Sequence, residues 1–141
     1  MVRRDFTINH VGYAVQNIER FLADNEVLYG RFERGPVIVN ERQRVREMFI
    51  SDGKTVLELL EPLGQDSPIA RFLKSNREGG LVHVALDVDD ISEAITRIKA
   101  AGGVVMVQPT PDVAFGERRI AFVAIEGQLT ELIERPRVTE G

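Results

Sequence analysis

Apolar positions change their period along the chain, and each change marks the edge of an element. Residues 8–15 mix β-branched and small apolar side chains around His10 and read as a strand. Asn17 then offers a helix cap ahead of Ile18, Phe21, Leu22 and Leu28, a stripe at helical spacing that Gly30 closes. Three extended runs follow at 31–40, 44–51 and 54–61, the last two joined by a turn through Asp52 and Gly53. The predicted order is βαβββ. Past Pro62, Ser67 and Pro68 cap and start a short helix carrying Ile69, Phe72 and Leu73, and Gly79 and Gly80 end it. Residues 81–88 alternate strictly, with Val82, Val84, Leu86 and Val88 on one face and His83, Ala85 and Asp87 on the other. Asp90 caps a second stripe of Ile91, Ala94, Ile95 and Ile98, stopped by Gly102 and Gly103 before strands near 103–107, 117–124 and 127–134.

The second half therefore repeats the order of the first, and an offset of 73 residues aligns them without a gap. Among the 55 pairs from 8 to 62, 11 are identical, including His10 with His83, Gly30 with Gly103, Arg46 with Arg119, Phe49 with Phe122, Glu58 with Glu131 and Glu61 with Glu134. Helix caps and glycine stops coincide as well. The expected architecture is α+β: one domain spanning 1–141, built of two tandem βαβββ modules at about 5–62 and 80–136 and joined by a short helical linker at 63–79. The polar tail 135–141, with Pro136, is expected to fray.

Composition narrows the function classes. At 141 residues and 43% hydrophobic content, aliphatic side chains suffice for a core. There are no cysteines, so disulfides, thiolate metal sites and a cysteine nucleophile are excluded, and a cytoplasmic setting is expected. A net charge of −4 argues against nucleic-acid binding, and no apolar run reaches the roughly 18 residues of a membrane span. Yet 15 of the 18 cationic residues are arginines, which suit bidentate recognition of a small anionic substrate.

His10 and His83 are the only histidines, and both lie within strands at equivalent points of the two copies. Glu58 and Glu131 are equivalent in the same way, in the last strand of each copy. Twofold repetition brings such residues together where the copies meet. Two imidazoles and two carboxylates suit a divalent ion of borderline hardness (Zn, Co, Ni, Mn or Fe) with positions left for water or substrate. A dication also compensates two carboxylates facing an enclosed sheet.

Two βαβββ units with such residues in the first and last strand of each resemble the vicinal oxygen chelate superfamily. Within it, TVLELLEPLGQDSPIARFLK followed by GGLVHVALDVDDISEAITRIKAAG is most similar to the methylmalonyl-CoA epimerase family and more distantly to glyoxalase I. The resemblance implies a glyoxalase-like fold, a cupped mixed sheet around a central metal site. Its ligands would be His10, Glu58, His83 and Glu131, and the chain would form a homodimer. It also exposes a departure. Family members resemble one another in an acidic residue of a Glu-Gln-Gly-Val segment, whereas this chain reads Glu41-Arg42-Gln43-Arg44-Val45-Arg46, with Arg42 at the acidic position and Glu41 one residue away. Glu117, equivalent to Arg44, is an alternative carboxylate.

The chemistry expected of this scaffold is removal of an α proton from a chelated, polarised substrate, with Glu131 as base, alone or with Glu41 or Glu117. If Val45 and Phe49 pack outward under the first helix, Arg44, Arg46 and Arg119 face the cavity and anchor an anionic substrate. The leading reading is a metal-dependent isomerase or epimerase acting on a small acid or its CoA thioester. The alternatives are a glyoxalase-like lyase or a secondary-metabolite tailoring enzyme, and a non-catalytic binder of drugs or metabolites.

Overall fold

The computed structural model describes residues 6–136, in which these patterns become strands and helices in the expected sequence. The order is β1 (Thr7–Ala14), α1 (Ile18–Asp24), α2 (Glu26–Tyr29), β2 (Glu33–Arg34), β3 (Ile38–Asn40), β4 (Val45–Ser51), β5 (Val56–Pro62), α3 (Pro68–Ser75), β6 (Gly80–Val88), α4 (Ile91–Ala100), β7 (Val104–Pro111), a 3-10 turn at Val113–Phe115, β8 (Arg119–Ile125) and β9 (Gln128–Glu134). Contacts divide these residues into two compact units, His10–Val82, and 83–136 together with 6–9.

In the first unit the strand order is β2-β4-β5-β1, with β3 also paired to β4. β1 runs parallel to β5, Gly12 opposite Glu58, and β4 runs antiparallel to β5, Phe49 opposite Glu58. The second unit has the order β6-β9-β8-β7, with Ala85 opposite Glu131 in the parallel pair and Phe122 opposite Glu131 in the antiparallel one. The offset of 73 read from the sequence thus reappears in the register, residue for residue. Mixed pairing of this kind, with helices on the sheet, is the α+β class expected.

One helix closes each sheet over an apolar layer. Ile18 and Leu22 of α1 pack on Val15, Ile50 and Leu59, joined by Met48 and Leu57. Ile91, Ala94, Ile95 and Ile98 of α4 pack on Val88, Ala121, Val123 and Leu132. The caps are also duplicates: Asn17 Oδ1 accepts the Arg20 N–H at 2.8 Å, and Asp90 Oδ1 accepts the Glu93 N–H at 3.0 Å. The linker helix α3 follows its predicted start, with Ser67 Oγ accepting the Ile69 N–H, and Gly79 turns the chain at φ +87, where any side chain would collide with the Ala14 carbonyl.

Three expectations are corrected. The first helix is not continuous to Gly30: Asn25 breaks it, its side-chain amide donating to the Phe21 carbonyl at 2.8 Å in competition with the helix ladder. Leu28 consequently lies outside the apolar stripe and is 64% exposed. The run 31–40 is two short strands, because Gly35 and Pro36 interrupt it and a proline cannot donate to a ladder. Arg135, placed in the frayed tail, is anchored: its N–H donates to the Val88 carbonyl and its guanidinium to Asp89 Oδ1 and Thr7 Oγ1. Residues 137–141 of that tail lie outside the described residues. Among the described residues, no helix is long and apolar enough to cross a membrane.

Candidate functional site

Each unit buries one histidine–glutamate pair at the centre of its sheet. In the first, β1 and β5 set His10 Nε2 3.2 Å from Glu58 Oε1, and Phe49, opposite Glu58 on β4, meets the His10 ring edge-on at 5.4 Å. In the second, β6 and β9 set His83 Nε2 3.4 Å from Glu131 Oε1, and Phe122 meets the His83 ring edge-on at 5.6 Å. The two rings act as walls that fix the imidazole planes. All four polar residues are buried.

The donor set fits a metal ion. Each residue offers one ligand atom, an imidazole nitrogen or a carboxylate oxygen. Two donors about 2.1 Å from a common ion, in octahedral or tetrahedral disposition, stand about 3.0 to 3.4 Å apart. The spacings within the pairs, 3.2 and 3.4 Å, match neighbouring ligand positions. Burying carboxylates also favours a compensating cation.

The arginines do not share this face, and the expected strand parity is reversed. Met48 and Ile50 of β4 pack under α1, so Arg46 lies on the helix side, while Val45 and Phe49 face the other way. Arg46 Nη1 donates to Glu61 Oε2 at 2.6 Å, and Glu61 Oε1 accepts the Ile18 N–H that opens α1 at 2.9 Å. The second unit repeats the device. Arg119 grips Glu134 through Nε and Nη2, at 3.1 and 2.9 Å, and Glu134 Oε2 accepts the Ile91 N–H that opens α4. That hydrogen bond from Arg119 holds the Glu134 carboxyl below its ordinary range, against the opposing effect of burial. Arg46 and Arg119 thus tie a helix start to its sheet rather than anchor a substrate.

Arg44 is corrected too. It occupies the left-handed region at φ 57 in the turn before β4, and its Nη1 donates to the Asp66 carbonyl. Glu41 is exposed in the same turn and Glu117 is exposed in the turn before β8, so neither is on a strand face. The structure brings neither to the histidine–glutamate pair of its own unit. Arg42 is exposed as well.

Sequence reasoning overlooked Asn40 and Glu47. Both are buried on the Glu58 side of the first sheet, and Asn40 Nδ2 donates to Glu47 Oε1 at 3.2 Å. A signal was available, because the offset of 73 sets Glu47 against Ile120, an acid where the other copy has an aliphatic residue.

Residues 9–122 match the sequence profile of the Glyoxalase/Bleomycin resistance protein/Dioxygenase superfamily. The chain is 34% identical over 131 residues to the mitochondrial methylmalonyl-CoA epimerase of Dictyostelium discoideum, covering 91% of this chain and 78% of that one. It is 42% identical over 92 residues to the mitochondrial methylmalonyl-CoA epimerase of Bos taurus, covering 65% of this chain and 52%, about half, of that relative. Among solved structures, a methylmalonyl-CoA epimerase in complex with methylmalonyl-CoA and NH4+ is similar at a TM-score of 0.78 and 30% identity, covering 96% of this chain and 98% of the other.

Proposed function

Because the chain belongs to the Glyoxalase/Bleomycin resistance protein/Dioxygenase superfamily, we propose that it is a divalent-metal-dependent epimerase acting on methylmalonyl-CoA or a closely similar acyl-CoA acid. The observation that carries the reading is the pair of buried histidine–glutamate contacts in identical register, two imidazoles and two carboxylates that together suit a divalent cation. In this reading His10, Glu58, His83 and Glu131 would hold one ion, which when bound would supply a Lewis acid able to polarise a thioester carbonyl and acidify the adjacent carbon acid. Glu131 accepts the α proton and the buried sheet face excludes water that would compete for it. Phe49 and Phe122 keep the histidines in one orientation. The borderline character of two nitrogens and two oxygens favours Zn, Co, Ni, Mn or Fe over Ca or Mg.

The cysteine-free composition supports a reducing, cytoplasmic setting. Homodimerisation is the assembly that the family resemblance implies, and β7, last in its unit's strand order, exposes Val104 and Met106.

The test is proton exchange. Methylmalonyl-CoA incubated in deuterated water with the metal-loaded protein should gain deuterium at the α carbon and interconvert its epimers. EDTA should abolish both changes and Co²⁺ should restore them. Absence of exchange from a fully metal-loaded protein contradicts the reading.

A further inference from the structure

The turn before β8 carries an arginine whose fork no protein group occupies. Arg46, Arg119 and Arg135 each grip a carboxylate, and Arg44 donates to a carbonyl. Arg118 is half-buried, gives its Nε–H to the Phe115 carbonyl at 3.1 Å and lies over the Phe115 ring, 5.9 Å from its centroid. Those contacts fix the plane of the guanidinium. Among the described residues nothing accepts from its two terminal nitrogens.

The turn itself is tied shut. Asp112 is buried; its Oδ1 accepts the Ala114 N–H at 2.9 Å, its carbonyl accepts the Glu117 N–H at 2.9 Å, and its own N–H donates to the Arg118 carbonyl at 3.0 Å. Phe115 packs on the apolar cluster of Ala85, Ile120 and Ile133. Ala85 is opposite Glu131 and two residues beyond His83, while Ile133 is opposite Ile120 and two residues beyond Glu131. Alternation puts this floor on the same sheet face as the His83–Glu131 pair, about 7 Å further along the strands. Arg119 belongs to the other face, with Glu134 and the start of α4. Asp87, opposite Ile133, shares the floor's side, but both of its oxygens accept from Asn9 Nδ2 at 3.2 Å and it makes no ion pair with Arg118.

The duplicated plan shows what packing alone asks for at this point. At the offset of 73, Arg118 corresponds to Val45 and Ile133 to Leu60. In the first unit Val45 and Leu60 are buried with Ile69 and Leu73 of the linker helix α3. In the second unit the same place carries Phe115 and an arginine. A cation where the other copy holds a buried valine departs from local packing, and such departures concentrate at functional sites.

We propose that Arg118 is a specificity residue whose terminal N–H groups hold the free carboxylate of the acyl-CoA acid through two parallel hydrogen bonds. This rests on the epimerase reading above for its substrate, and it states what the site selects: acyl thioesters that carry a second acidic group close to the thioester, over neutral ones of the same chain length. The phosphates of coenzyme A are the other anions such a fork fits. They stand a whole pantetheine arm from the thioester, whereas the floor under Phe115 begins two residues from Glu131, so the acyl carboxylate is the anion within range.

Arg118→Met keeps most of the side-chain length and removes the fork. Calorimetric titration of the metal-loaded protein should find methylmalonyl-CoA bound about 30-fold more weakly by the variant, as expected for lost hydrogen bonds to a charged group. Propionyl-CoA, which lacks the carboxylate, and coenzyme A itself should bind within twofold of wild type, with metal content unchanged. Arg118→Lys keeps the charge without the planar fork and should recover only part of the affinity, again for methylmalonyl-CoA alone. Equal weakening of all three ligands assigns Arg118 to the phosphates and overturns the proposal. Affinity for methylmalonyl-CoA within threefold of wild type in both variants overturns it as well. Wild-type protein that loses methylmalonyl-CoA selectively on Arg118→Met, yet exchanges no α proton, overturns the epimerase reading and leaves the carboxylate assignment standing.

Discussion

At the scale of single residues, a position's meaning depends on which face of a strand it occupies. Arg46 and Arg119 are the clearest instance, since their repetition at an offset of 73 marks them as a shared feature, and each binds a carboxylate that caps a helix start. Arg119→Met should therefore leave the KM for methylmalonyl-CoA within twofold and lower stability to urea. A KM raised tenfold at unchanged stability would return Arg119 to the substrate site. The histidines and glutamates of the two pairs were legible because two histidines, repeated at one interval and embedded in strands, have few alternative explanations. Glu47 was not legible. In β4, apolar residues fall on both faces, Met48 and Ile50 on one and Val45 and Phe49 on the other, so alternation alone cannot say which face the helix covers.

At the scale of elements, local chemistry predicted starts better than continuity. Asn17, Ser67 and Asp90 each accept a backbone N–H at the start of α1, α3 and α4, as a short polar side chain before an apolar stripe leads one to expect. What failed was the length of α1 and of the strand after it, because Asn25 and Pro36 act by hydrogen-bonding and steric effects that a hydrophobic period does not register. The start of α4 also has a pH dependence whose sign follows from Glu134. Its folded-state pKa is depressed, so its contribution is present above the unfolded value and is lost as pH falls through the folded value. Glu134→Gln should cost about 1 kcal/mol at pH 7, a modest figure because solvent screens a partly exposed pair. The gap between wild type and variant in urea denaturation should close as the pH is taken below about 4, near the ordinary carboxyl range. A gap that widens toward acid would contradict the assignment.

At the scale of the whole molecule, the duplicated plan and the α+β class were readable because the helix caps and the first and last two strands of each copy recur at one interval, and their register repeats it. If one ion is shared, stability must be linked to it. Holding free metal at a hundred times its Kd should add about 2.7 kcal/mol. For a chain of this size that raises Tm by roughly 8 °C, reversed by EDTA. A Tm indifferent to metal and chelator would mean that the buried pairs are hydrogen-bonded structure alone. Elemental analysis of bound metal per chain addresses the central claim most directly, applied to the wild type and to Glu58→Ala and Glu131→Ala, one substitution in each unit. The account predicts one ion per chain in the wild type and its loss from either variant. Two ions per chain, or an ion retained at full occupancy when either unit's pair is broken, would contradict it.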